Sequence, residues 1–214
     1  MGRQAMAIQS YDELSSLELD ALKEIGSIGT GNAATALSSM IGKQVRIEVP
    51  EVRIMGYNEA IEWIGGPEEI TAGVLVKIGG QISGIMLSVQ QLDFVNLVLG
   101  SMLDKCVEDY DELHEMECSA LIEVGNIMIS TFINALSGLA GINIELTVPA
   151  FTVDMQGAIM AVPMAEYGGQ SDYIMTIGGD FVCEGKKTPC RLLLSPEIRS
   201  LNYLLGKLGV ISGR

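Results

Sequence analysis

The chain is short of positive charge, of aromatic rings and of histidine. Only 13 Lys and Arg stand against 27 Asp and Glu, a formal net charge of −14. A surface of that sign repels phosphate backbones and anionic headgroups, which excludes nucleic acid and anionic membrane as partners. The one histidine lies in His114-Glu115-x-x-Cys118, which lacks the second histidine of a zinc-binding helix and has no nucleophile elbow nearby. Neither a metal site nor a Ser-His-Asp triad is built from it. The four cysteines (Cys106, Cys118, Cys183, Cys190) form no CxxC pair and no zinc spacing. With no secretory signal ahead of them they read as reduced thiols of a cytoplasmic protein, and a hairpin bridge between Cys183 and Cys190 is the minority reading. No apolar run reaches the ~20 residues that cross a bilayer, so no membrane insertion is expected. Met1–Ser10 carries no targeting pattern and reads as a loose arm.

The 48% hydrophobic content is ample for a core, and with 12 Met and only 5% aromatics that core is expected to be aliphatic and adaptable. At 214 residues the chain is one large domain or two small ones. A run of acids from Asp104 to Glu117 reads as a solvated connector and helix start.

The informative stretch is Ser119–Pro149, a long helix followed by a strand. Its apolar stripe is Leu121, Val124, Met128, Phe132, Ala135 and Leu139; the opposite stripe is Ser119, Glu123, Asn126, Ser130 and Ser137. Glu123 and Asn126, three residues apart, therefore share a face and point to solvent. Ile142, Ile144, Leu146 and Val148 then alternate with Asn143, Glu145 and Thr147 as a strand. Shifted back by 99 residues, Asp20–Pro50 reads the same way, with Ala, Leu, Glu, Gly, Ile, an Ala-Leu-Ser run, Gly, Val and Pro in register. The chain is an internal duplication. Two copies are too few for a solenoid, so a single globule with a pseudo-two-fold axis is expected, each copy covering the other's apolar face.

In chain order, Ser15 or Ser16 caps a first helix that runs to about Met40 and stops at Gly42. Its glycines (Gly26–Gly31) resemble a phosphate loop only superficially, because no strand precedes them; they predict close approach of the matching helix of the second copy. Gln44–Val49 is a strand ended by Pro50, with Val52 and Ile54 continuing past a bend. Asn58–Ile64 is a short helix. Ala72–Ile78 and Gln81–Val89 form a hairpin around Gly79-Gly80, and Gln90–Leu99 is a helix. The second copy repeats this order: helix to about Leu139, strands Ile142–Val148 and Phe151–Met155, the Gln156–Tyr167 segment, a hairpin of Tyr173–Cys183 and Cys190–Leu194 turning at Glu184–Thr188, and a closing helix Glu197–Leu208. The fold class is α+β, two long helices packed on an antiparallel or mixed sheet, because hairpins rather than crossover helices join the strands.

On spacing alone, Glu123 and Asn126 are a wet helix face. Their near-repetition at Glu24 and Ser27, with a helix-weakening glycine beside each pair (Gly125, Gly26), singles them out. The pattern Asp/Ser-x3-Glu-x2-Asn, with a proline 23 residues after the Asn, resembles the signature of the CheC/CheX/FliY phosphatase family of bacterial chemotaxis. The second copy matches in full at Ser119, Glu123, Asn126 and Pro149. The first matches at Asp20, Glu24 and Pro50, but has Ser27 in place of Asn. Length and the doubled motif favour the CheC branch, as a single domain over 11–214 made of repeats at about 11–103 and 111–214.

What the resemblance implies is a protein aspartyl-phosphate phosphatase acting on the chemotaxis response regulator CheY. Asn126 orients the attacking water, Glu123 anchors the regulator's active-site lysine, and Ser119 and Pro149 support the motif. Mg2+ belongs to the regulator, so this chain has no cofactor of its own. The first site (Asp20, Glu24, Ser27) is expected to be weak or silent. The segment after the second proline, at Asp154, is where the resemblance places docking of the receptor deamidase CheD. The alternative is a binding module that sequesters phosphorylated CheY or regulates CheD without hydrolysing anything; a structural part of the flagellar switch fits less well.

Overall fold

Two 26-residue helices open the two halves of the chain, and each is started and stopped by its own residues. Helix α1 (Ser16–Ile41) begins at a capping box: the Glu18 amide donates to Ser15 Oγ at 3.3 Å, and Glu18 Oε2 accepts from the Ser15 amide at 2.9 Å. Helix α4 (Glu115–Ala140) begins the same way, Glu117 Oε2 accepting from the His114 amide at 2.9 Å. Both end on a glycine in the left-handed region, Gly42 at φ 67° and Gly141 at φ 63°. The computed structural model describes residues 8–167 and 172–210.

The remaining elements are β1 (Val45–Gly56), α2 (Tyr57–Ile64), β2 (Ile70–Gly80), β3 (Gly84–Gln90), α3 (Leu92–Met102), β4 (Ile144–Leu146), β5 (Ala150–Met155), α5 (Gln156–Tyr167), β6 (Tyr173–Cys183), β7 (Lys186–Pro196) and α6 (Ile198–Lys207). The strands form one antiparallel sheet in the order β1-β6-β7-β3-β2, with β4 and β5 both on the outer side of β2. Pairing is exchanged between the halves. β1 of the first half lies on β6 of the second, and β4 and β5 of the second lie on β2 of the first.

Helices α1, α3, α4 and α6 cover one face of this sheet, around Val74, Val76, Met86, Leu192 and Leu194. Helices α2 and α5 cover the other, around Leu87, Val89, Ile174 and Leu193. β3 is buried along its whole length because both of its faces are covered.

The first residue of a single-turn helix ahead of each long helix ties the halves together. Tyr11 donates its hydroxyl to the carbonyl of Pro196, at the end of β7, at 2.7 Å; Tyr110 donates to the carbonyl of Gln90, at the end of β3, at 3.0 Å. Each tyrosine opens the sequence Tyr-Asp-Glu-Leu, so the repeat extends ahead of Asp20, and each reaches the opposite half. Burial pushes both phenols above their ordinary range. With Gln90 and Pro196 equivalent, Leu87 matches Leu193, and these two residues pair directly across β3 and β7. A two-fold relation between adjacent antiparallel strands runs normal to the sheet, so α1 and α4 lie antiparallel on the same face.

Several expectations need correction. β1 does not end at Pro50 but runs through it, with a register shift between Glu48 and Glu51. In the second copy the proline breaks the strand outright: Ile142–Val148 shrinks to Ile144–Leu146, and Val148 is 87% exposed. Pro50 lies within an edge strand and Pro149 between two outer strands, where a missing N–H costs no central hydrogen bond. On α4 the buried stripe turns toward Leu136 and Ala140, leaving Ala135 half-buried and Leu139 exposed. The first hairpin turns at Gln81–Ser83, beyond Gly79-Gly80, and the second at Glu184-Gly185. Cys183 pairs with Lys186 and Cys190 with Gly179, so the two thiols do not face each other, and all four cysteines are free.

The expected loose arm falls largely on residues 1–7, which lie outside the described residues. Ile8 is buried, and its amide and carbonyl are both hydrogen-bonded to the Asn202 side chain. Helix α4 is long and apolar enough by composition to cross a membrane, contrary to the reading of its apolar runs; half of its most apolar stretch is buried against the sheet and α1.

Candidate functional site

Residues Leu121, Val124, Met128 and Ile129 bury one side of α4, so the opposite side is held still and turned outward. On that side Glu123 is exposed and Asn126 half-buried. Neither side chain has a hydrogen-bond or ion-pair partner among the described residues, so the amide keeps its donor and acceptor free. Gly125, next to the amide, faces inward. A Cβ there would come within 2.7 Å of Val74 Cγ2 and 2.9 Å of Gln90 Nε2, so glycine lets α4 sit directly on β2 and β3 behind the exposed pair. Gln90 Nε2 fastens the helix from below by donating to the Leu121 carbonyl at 3.1 Å. Ser119 is exposed but committed, its hydroxyl donating to the Glu115 carbonyl at 2.7 Å. Pro149 stands between β4 and β5, half-buried.

The first copy has the same layout with different chemistry. Gly26 faces inward against Val52, where a Cβ would overlap the valine side chain. Glu24 and Ser27 are exposed, and neither side chain is engaged among the described residues. Asp20 is exposed and faces Lys23 at 3.3 Å. The expected contact between glycines and the matching helix holds only at Gly29, which lies against the ring of Phe132 of α4. Gly26 meets a strand, and Gly31 meets nothing within 4 Å.

Glu123 and Asn126 line neither of two cavities among the described residues. One of about 580 Å³ lies between Asp93, Asn96 and Cys106 on one side and Lys43, Cys183 and Lys186 on the other; another of about 300 Å³ lies between β5 and α5. A pair on the outward side of a helix suits a substrate carried in another macromolecule's concavity rather than a small molecule enclosed here. An amide with free donor and acceptor can place a water without adding charge, and a carboxylate one turn away can hold a cation. The pair holds no hydroxyl, thiol or amine beside an activating base, and the chemistry it supports best is positioning.

Asp154 lies elsewhere. It is exposed on β5 opposite Thr71, its Oδ1 accepting from the Met155 amide at 2.7 Å, and it borders the cavity formed by Gly73, Leu75, Phe151, Ile159 and Val162. That cavity is on the α2/α5 face, so the sheet separates Asp154 from Glu123 and Asn126. Two exposed residues escaped the sequence reading: Leu17, 60% exposed, and Met116, 67% exposed, at matching positions of α1 and α4. The signal for them was the register of the repeat, which places both seven residues before the glutamate.

Residues 17–54 and 116–153 match the model of the CheC-like family. One matched segment lies in each half of the chain. The two matched segments take in both long helices and the strands after them, with Glu24, Ser27, Glu123 and Asn126 inside. The chain is 24% identical over 205 residues to the CheY-P phosphatase CheC of Bacillus subtilis, covering 93% of this chain and 97% of that one. Its fold is similar to that of Thermotoga maritima FliY, with a TM-score of 0.72 and 24% identity over 94% of this chain and 100% of the other. It is also similar to a chain of the CheX–CheY–BeF3–Mg2+ complex of Borrelia burgdorferi, with a TM-score of 0.52 and 18% identity over 81% and 96% of the two chains.

Proposed function

We propose that this CheC-like chain hydrolyses the aspartyl phosphate of a CheY-type response regulator, with Asn126 as the catalytic residue and Glu123 as the anchor. An acyl phosphate breaks readily once a water is held in line with phosphorus. The water oxygen bonds to phosphorus, the bond from phosphorus to the aspartyl oxygen breaks, and the products are the free carboxylate and inorganic phosphate. Positioning and charge stabilisation carry such a step. The Asn126 amide accepts a hydrogen from the water and donates toward the phosphoryl oxygens without the repulsion a carboxylate brings. Glu123 pairs with a cation of the regulator and sets the register of the amide. Mg2+ is the regulator's own.

The observation that carries this reading is the free, outward-facing amide on a braced helix, in a chain similar to a CheY-P phosphatase. The pair of names in the Borrelia complex, CheX with CheY, supports a CheY-type partner. At the first site Ser27 is shorter and has no amide, so it holds water poorly and the site is weak or silent. Docking of CheD at Asp154 is a further part of this proposal; the apolar cavity beside that residue is what supports it.

The test is phosphate release from phosphorylated regulator. Asn126→Ala lowers the stimulated rate about 100-fold or more, the scale for removing one positioned polar group at a reacting centre, whereas Ser27→Ala changes it little. Equal damage from both substitutions reverses the assignment. Loss of the single amide at Ser27 also favours a second reading, a module that binds phosphorylated regulator without hydrolysis. Unstimulated phosphate release with intact binding selects it.

A further inference from the structure

The hairpins of the two halves differ in length. With Leu87 and Leu193 equivalent, the pair Ile78–Gly84 that closes the β2–β3 ladder corresponds to Gly179–Cys190. β6 and β7 run on for four more pairs, from Asp180–Pro189 to Cys183–Lys186. Pairing with β1, from Glu48–Asp180 to Val45–Cys183, accounts for the extra length of β6 but asks for no particular side chain on β7. There the extension carries Lys186 and Lys187, which have no counterpart in the first hairpin. It faces α3 across the cavity of about 580 Å³. The equivalent helix, α6, is placed in the same way: Asn96 holds the amide and carbonyl of Val107 as Asn202 holds those of Ile8. Between α6 and the β2–β3 turn, however, the space is bridged by a hydrogen bond from Gln81 Nε2 to the Tyr203 hydroxyl at 2.9 Å. α3 has Leu97 at the position of Tyr203, and its side of the repeat stays open.

We infer that the cavity between α3 and the β6–β7 hairpin is a binding site for a small phosphorylated polyol, of the sugar phosphate class. Lys43, Lys186 and Lys187, three of the chain's 13 Lys and Arg, converge on it. In a protein of net charge −14 that convergence makes a local attraction for anions. Lys43 pairs with Glu184 at 2.9 Å and Lys187 with Glu48, whereas Lys186 is exposed and has no hydrogen-bond or ion-pair partner among the described residues. Lys186 is the cation free to take a phosphoryl group, with the hydroxyls of Ser101 and Thr188 in the same lining. The Asp93 carboxylate, on the α3 side, accepts from ligand hydroxyls. No aromatic ring is among the described lining residues, so a nucleobase has nothing to stack on. The volume lies within the range of small-molecule sites, about 300–1,000 Å³. Glu123 and Asn126 are not part of this cavity, so the inference goes beyond the phosphatase reading and does not depend on it.

The experiment uses the full chain with ribose 5-phosphate, adenosine monophosphate and inorganic phosphate as probes. Calorimetric titration with ribose 5-phosphate is expected to show saturable binding of one molecule per chain, weakened about tenfold or more in Lys186→Glu and unchanged in Asn126→Ala. Lys186 is exposed and unpaired, so Lys186→Glu is expected to keep the native melting temperature. Inorganic phosphate is expected to bind more weakly, because it brings no hydroxyls for Asp93, and adenosine monophosphate no more tightly, because its base gains nothing. Cys106, exposed in the same lining, gives a second readout: ribose 5-phosphate is expected to slow its alkylation by iodoacetamide, followed by mass spectrometry, and to leave that of Cys118 on α4 unchanged. The inference is overturned by an absence of saturable binding up to about 10 mM, by a Lys186→Glu chain that binds as the native one does, or by unslowed alkylation of Cys106. Inorganic phosphate bound as tightly as ribose 5-phosphate, or adenosine monophosphate bound more tightly, overturns it as well.

Discussion

One side chain separates the two halves chemically: Asn126 on α4 against Ser27 on α1. That difference was legible in the sequence, because the repeat puts the two residues in register. Their setting was not. Nothing in the spacing shows that Gly125 faces inward against Val74 and Gln90, since which glycine of a helix touches a sheet depends on how the helix is rotated on it. A second residue pair has a consequence that pH reveals. Lys105 Nζ lies 3.0 Å from Glu117 Oε1, and that contact, with the His114 amide, holds the Glu117 carboxyl below its ordinary range. A carboxyl lowered in the folded state contributes stability above its unfolded value and loses that contribution as pH falls through the lowered value. Glu117→Gln is therefore less stable than the native chain in urea at about pH 7, and the gap narrows as pH falls through the lowered value. A gap of unchanged size at the lower pH removes the ionic part of this account.

At the scale of single elements, capping signals and periodicity read well and packing direction read poorly. Ser15 and Gly42 marked helix ends that the structure keeps, because a cap is a local hydrogen-bonding event. The α4 stripe drifted by one position toward its end, trading Leu139 for Leu136 and Ala140, because the 3.6-residue turn carries the buried line from Phe132 on in steps of four. The α1 glycines separate by substitution. Gly29→Ala drives a methyl into the Phe132 ring and destabilises the chain by roughly 1–3 kcal/mol, the usual cost of overpacking. Gly31→Ala meets open space and stabilises α1 by up to about 1 kcal/mol, the propensity gain alone. Urea midpoints of the two variants measure both, and equal shifts of one sign contradict the packing.

For the whole molecule, the duplication was visible in the sequence but the exchange between its halves was not. β1 completes the sheet of the second half, β4 and β5 that of the first, and Tyr11 and Tyr110 each cross to the opposite half. Neither repeat holds its own outer strand, so a chain cut between them leaves each half with an unpaired strand edge. Expressed separately, residues 8–103 and 104–214 are expected to be unfolded or self-associated, and to recover the native circular dichroism and one cooperative melt only when mixed. A folded, monomeric half argues against the exchange.

By itself the sequence determined the repeat, the helix termini, the turn-rich hairpins and the identity of the polar pair, because these depend on spacing and on residues a few positions apart. Tertiary structure alone decided which strand pairs with which half, where Pro50 and Pro149 bend or break the outer strands, and which apolar residues stay in water. Leu17 and Met116 look like core residues in one dimension. They are exposed because the sheet lies beneath the opposite side of each helix, and contacts between residues far apart in the chain set that side.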